Sequence, residues 1–81
     1  MSAICYVYII RSTLKKWNYV GFTTDINSRL NQHNKGLVRS TKFYRPFTLI
    51  FVQIVQNSIE AREFEKFLKV RFNKEALLNI L

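Results

Sequence analysis

One cysteine and one histidine in 81 residues leave no intrachain disulfide and too few soft ligands for a structural zinc site. The lone thiol, Cys5, reads as a small core residue. Two glycines and one proline offer few breaks in regular structure, and no Gly-rich phosphate loop can be assembled from them. Acidic residues are just as scarce. The five carboxylates, Asp25, Glu60, Glu63, Glu65 and Glu75, include no paired set of the kind that two-metal enzymes need, so one metal ion at most is held, with water filling most of its shell. No Ser/His/Asp set is present. The apolar run from Ala3 to Ile10 is far too short to span a bilayer, and no small-residue cleavage pattern follows it, so a cytoplasmic location is expected.

What the chain has is apolar material and positive charge. Hydrophobic residues make up 48% and aromatic residues 15%, enough to build one core and too much for a disordered chain. A chain of this length is expected to form one domain, residues 1–81. Thirteen Lys and Arg against five Asp and Glu give a formal charge of +8, which favours a polyanionic partner through counterion release from phosphates. Nucleic acid leads; charge kept for solubility alone is the plain alternative. An acidic membrane surface ranks lower, because the basic residues are dispersed along the chain rather than gathered on one amphipathic helix.

Ile4 to Ile10 is almost all β-branched or aromatic and predicts a buried strand; Trp17 to Phe22 predicts a second. The polar stretch Arg11 to Lys16 between them implies an antiparallel hairpin, and a symmetric register would set Tyr8 opposite Tyr19. Thr23, Thr24 and Asp25 are capping residues, after which Ile26, Leu30 and His33 recur at helical spacing up to a natural stop at Gly36. Leu37 to Pro46 reads as a loop. Phe47 to Val55 predicts a third strand, and Asn57 or Ser58 caps a second helix beginning near Ile59. Ala61, Phe64, Leu68 and Phe72 form its apolar side, and a short last helix is expected over Lys74 to Ile80. The order ββαβα(α) predicts an α+β fold: a three-stranded antiparallel sheet, hairpin plus third strand, packed by two to three helices.

The residues able to carry chemistry form an ordered set. Tyr6-Val7-Tyr8 lies on the first strand, Tyr19-Val20-Gly21 on the second, Arg29 and His33 one turn apart on the first helix, and Glu65 on the second. The set resembles the GIY-YIG nuclease family, with Tyr6 where the family has its usual Gly and Val20 where it has Ile. The likeness extends over Gly21-Phe22-Thr23-Thr24-Asp25, Arg29-Leu30, His33-Asn34 with Gly36, Arg45-Pro46, Ala61, and Glu65 with Leu68-Lys69. This is similar to the small stand-alone bacterial members and covers essentially the whole chain.

The resemblance implies a site in which Tyr8 receives a proton from the attacking water while Tyr19 is held against the phosphate. A free phenol has a pKa near about 10, so this needs a cation or a base beside it. His33 is the candidate base; four residues after Arg29, it shares a helix face with it, beside Ile26 and Leu30, and both lean toward the sheet. Arg29 would offer a guanidinium fork to the scissile phosphate. Glu65 would hold a single Mg²⁺ or Mn²⁺ at the leaving oxygen. Gly21 has a steric, structural role. Asn79 is a weak match to a polar residue near the metal. Lys15, Lys16, Lys35, Arg39, Lys42 and Arg45 read as a diffuse phosphate-contacting surface.

Each residue also has a plainer reading: strand tyrosines that wet their hydroxyls, a partly exposed helix histidine, a surface arginine, solvated lysines, and for Glu65 an i,i+4 ion pair with Lys69. The expected function is therefore a metal-dependent endonuclease acting on nucleic acid, DNA in preference to RNA, with weak sequence selectivity because no separate target-choosing domain fits in 81 residues. Two alternatives stand beside it: a binding module of the same fold without catalysis, and a basic protein docking on RNA or on a protein partner.

Overall fold

The central strand of the sheet is the most buried of the three. β1 (Cys5–Ser12) buries Cys5, Val7, Tyr8, Ile9 and Ile10, which requires cover on both faces and a neighbour on both edges. β2 (Asn18–Thr23) and β3 (Phe47–Val55) supply the edges, giving an antiparallel sheet of order β2-β1-β3. The helices α1 (Ile26–Asn34), α2 (Ser58–Lys69) and α3 (Arg71–Ile80), with a 3₁₀ turn at Lys42–Tyr44, complete the ββαβαα order expected. The computed structural model describes residues 4–80.

Alternation along β1 sorts its side chains onto two faces, each with its own core. Cys5, Val7 and Ile9 join Val20, Ala61 and Leu68 in an apolar cluster, with Phe64 of α2 and Leu77 and Leu78 of α3 packed against it. Tyr8 and Ile10 point the other way, to Phe47, Tyr19, Trp17 and Tyr44, under Ile26 and Leu30 of α1. A register shift between Ile9 and Ile10 leaves Ile50 unpaired in β3, so Ile50 and Phe51 both pack against the first cluster.

The hairpin register differs from the symmetric one. Tyr8 lies opposite Gly21, and Tyr19 opposite Ile10. The connection sets this: the Ser12 amide donates to the Trp17 carbonyl at 2.9 Å, and the Ser12 hydroxyl accepts from the amides of Leu14 and Lys15 at 3.2 and 3.1 Å. A slip of two residues keeps facing intact, so both tyrosines still share one side of the sheet.

Asp25 caps α1 by accepting from the Ser28 amide, and Asn57 caps α2 by accepting from the Glu60 amide. At the far end of α1, Leu37 N–H donates to Gln32 and Gly36 N–H to His33, a Schellman stop with Gly36 at φ 77°. The second helix ends earlier than its periodicity suggested: Val70 is extended, and α3 starts at Arg71. Phe72 thus belongs to α3 rather than to the apolar side of α2, and its side chain lies outside the described residues. No helix among the described residues is long and apolar enough to cross a membrane.

Candidate active site

The site grows from the absence of one side chain. A Cβ at Gly21 would lie 2.6 Å from the Tyr8 hydroxyl oxygen and 3.0 Å from the Tyr19 ring, closer than packed atoms stand. Glycine there lets the Tyr8 ring cross β2 and bury its hydroxyl beneath α1. Tyr8 is 1% exposed, with its ring centroid 6.5 Å from that of Tyr19. Tyr19, half-buried, leans on Trp17, which in turn stacks on Tyr44 at 4.0 Å and 11°.

A buried phenol needs a partner, and α1 delivers it. His33 is 0% exposed, and its Nε2 lies 2.8 Å from the Tyr8 hydroxyl. The opposite ring nitrogen, Nδ1, lies 2.8 Å from the hydroxyl of Thr41, also 0% exposed. The histidine is thus held at both ends, as a buried polar group must be. Burial first, and the nearby Arg29 charge second, lower its pKa to about 4, so it is a neutral imidazole at physiological pH. The expected base is therefore weaker in the resting protein than an unperturbed imidazole.

Arg29 sits one turn before His33 and is half-buried, with Nη1 donating to Gln32 Oε1 at 3.1 Å. Burial raises the Tyr8 pKa, while the Arg29 guanidinium pulls it back through hydrogen bonding and charge; Tyr19 and Glu65 add smaller upward pushes. These influences locate Arg29 and Glu65 within electrostatic reach of the phenol. Tyr8, Tyr19, His33 and Arg29 gather on one side of the sheet, whereas Glu65, on α2, acts on the phenol only as the weakest of these influences. Glu65 is also engaged in the plainer manner foreseen for it, with Lys69 Nζ 3.2 Å from its Oε1.

Among the described residues no group of three or more His, Cys, Asp or Glu gathers to hold a metal. One half-buried carboxylate is a donor set that suits a hard, hydrated cation such as Mg²⁺ or Mn²⁺, whose remaining positions go to water and phosphate oxygens. It does not suit zinc. Glu65 is the residue that would hold such an ion, in exchange for the Lys69 contact.

The basic residues expected to meet phosphate, Lys15, Lys16, Lys35, Arg39, Lys42 and Arg45, are all exposed. The fold draws several of them round one loop. Lys15 Nζ sits 5.3 Å from the centre of the Tyr44 ring, and Arg45 Nη1 donates to the Lys35 carbonyl at 3.4 Å. Ser12 Oγ donates to the Tyr44 carbonyl at 2.6 Å, tying this loop to the hairpin. Asn79 is exposed on α3.

Sequence reasoning missed Thr41, which looks like any loop threonine until the fold buries it. It also missed how Asn34 joins α1 to β3, accepting from the Phe47 amide at 2.6 Å and donating to the Phe47 carbonyl at 3.4 Å. No spacing rule connects residues 13 apart in sequence across a loop.

A three-stranded α+β domain that carries two tyrosines, an arginine, a histidine and a carboxylate in this order along the chain matches one class of proteins, a family of nucleases. The chain belongs to the GIY-YIG nuclease family: residues 4–79 match the profile of the GIY-YIG catalytic domain. It is similar to the UPF0213 protein YazA of Bacillus subtilis (strain 168), at 32% identity over 76 residues that cover 93% of this chain and 76% of the relative. It is also similar to a UPF0213 protein of Staphylococcus aureus (strain Mu3), at 33% identity over 63 residues, covering 74% of this chain and 76% of the relative. No solved structure matches.

Proposed function

We propose that this chain is a metal-dependent endonuclease that hydrolyses nucleic-acid phosphodiester bonds, DNA in preference to RNA and with weak sequence selectivity, from a site made by Tyr8, Tyr19, Arg29, His33 and Glu65. The observation that carries the reading is the 2.8 Å hydrogen bond between the Tyr8 hydroxyl and His33 Nε2, buried beside Arg29. When Nε2 offers its lone pair, the phenol can take a proton from water while passing its own to Nε2, without a free phenolate forming first. An incoming phosphate brings negative charge, which raises the basicity of His33 from its low resting value when it is needed.

Arg29 neutralises charge building on the nonbridging phosphate oxygens, and Tyr19, at the half-buried edge of the cluster, hydrogen-bonds the phosphate. Glu65 holds the cation, which when bound supplies Lewis-acid stabilisation of the leaving oxygen. The exposed basic residues from Lys15 to Arg45 hold the flanking backbone and give the affinity its salt dependence.

The test is nicking of supercoiled plasmid with Mg²⁺ and with EDTA. Arg29→Ala and Glu65→Ala are each expected to lower the rate by about 10²- to 10³-fold while the fold persists, the scale for losing one preorganised charge-stabilising group. Cleavage that ignores both substitutions and EDTA would sink the proposal. One observation favours the second reading, a binding module without catalysis: the Lys69 ammonium already occupies the carboxylate that the metal needs. That reading predicts salt-sensitive binding with no cleavage under any metal.

A further inference from the structure

Thr41 is a fully buried polar residue that the proposed chemistry leaves unused. Its hydroxyl lies 2.8 Å from His33 Nδ1 and also donates, at 3.4 Å, to the carbonyl of Val38. A hydroxyl has one proton. If that proton points at Val38, the oxygen can only accept from His33, which puts the ring hydrogen on Nδ1 and leaves the Nε2 lone pair for Tyr8.

The other end of the chain requires the same arrangement independently. Among the described residues, the acceptor within hydrogen-bonding distance of the Tyr8 hydroxyl is His33 Nε2, at 2.8 Å. Arg29, which also acts on the phenol, has only donors. With the hydrogen on Nε2, the Tyr8 proton would be buried facing donors. Both ends therefore select one tautomer, opposite to the one that free imidazole side chains prefer in water.

From this geometry we infer that Thr41 is a positioning residue that fixes His33 in the Nδ1–H tautomer, aiming the Nε2 lone pair at the Tyr8 hydroxyl. The inference rests on the reading of Tyr8 and His33 as the proton-handling pair for its functional meaning, and on the hydrogen bonds alone for its structural content. Thr41 touches no reacting atom. Its own position is set by backbone bonds: Thr41 and Lys42 amides donate to the Val38 carbonyl at 3.1 and 3.0 Å, and the Tyr44 amide donates to the Thr41 carbonyl at 2.9 Å. Because Tyr44 is pinned to Ser12 and stacked on Trp17, the loop carries Thr41 as part of the hairpin scaffold.

His33 is the single histidine of the chain, so the imidazole region of a long-range ¹H–¹⁵N spectrum of the untagged protein, taken near pH 7.5, reports this ring alone. The native protein and Thr41→Ser are expected to show the Nδ1–H pattern, and Thr41→Val, which keeps the shape and removes the hydroxyl, to lose it. Cleavage by Thr41→Val is expected to fall about 10- to 100-fold in kcat with KM unchanged, by analogy with loss of the group that orients a metal-ligating histidine, and Thr41→Ser to recover it. An Nε2–H pattern in the native protein, or an Nδ1–H pattern surviving in Thr41→Val, would overturn the inference. If Thr41→Val does not fold, the native and Thr41→Ser spectra still decide it. A protein that cleaves nothing but shows the Nδ1–H ring would defeat the nuclease reading and leave the tautomer assignment standing.

Discussion

The two faces of the sheet are built from different kinds of residue. Beneath α2 and α3 the buried cluster is Cys5, Val7, Ile9, Val20, Ala61 and Leu68, apolar volumes with no hydroxyl or amide among them. Beneath α1 and the loop after it lie Tyr8, His33, Thr41 and Ser12, each buried and each hydrogen-bonded to a named atom. Apolar volumes can be exchanged for one another at modest cost, whereas a polar network is worth having only when every member is satisfied. The first face holds the chain folded. The second spends part of its burial on orienting groups that water would otherwise scatter.

Substitutions can break that contrast apart. The largest effect on stability belongs to the apolar face: Leu68→Ala should lower the unfolding free energy by about 2 to 5 kcal/mol in urea titration, with the cleavage of the remaining folded fraction unchanged. A comparable loss of cleavage per folded molecule would mean that the faces are not separate in function.

Acid tests the polar face. His33 has its pKa lowered to about 4 in the folded chain against an ordinary value near roughly 6.5, so between these values the unfolded chain takes up more protons. Stability contributed by the neutral ring is complete above pH ~6.5 and lost as pH falls toward ~4, by no more than roughly 3 kcal/mol. His33→Gln should flatten that slope; an unchanged slope would place the acid sensitivity elsewhere.

The smallest effect is expected at the boundary. Glu65 and Lys69 form a single i,i+4 pair with half-exposed Lys69, so Lys69→Ala should change stability by under about 0.5 kcal/mol. Removing the competing ammonium should also lower the Mg²⁺ concentration needed for cleavage, by about twofold. A higher requirement would show that Lys69 assists the site.

The apolar face was nearly all legible in the sequence, because β-branched runs and helical spacing report burial directly. The bounds of β3, Phe47–Val55, coincide with its run of Phe, Ile, Val and Thr. The end of α2 was harder, since Val70 carries no Gly or Pro signal and the apolar period runs on through Phe72. The hairpin register was hidden because a serine hydroxyl, not an Asn-Gly turn, closes the connection.

Tyr8, Tyr19, Arg29 and His33 of the polar face, and Glu65 at the boundary, were found by their order along the chain. Helix geometry alone accounted for only one link, Arg29 with His33. Thr41 had no signal: loop residues follow no period, and what singles it out is burial against a ring eight positions earlier.

The most direct measurement is single-turnover cleavage by Tyr8→Phe, which keeps the ring that fills the space beside Gly21 and deletes only the hydroxyl. Stability should fall by about 1 to 3 kcal/mol, because His33 Nε2 loses its buried partner, and Mg²⁺-dependent cleavage should drop by at least about 10²-fold. Cleavage at the native rate by a folded Tyr8→Phe protein would contradict the central claim that this hydroxyl handles the proton of the attacking water.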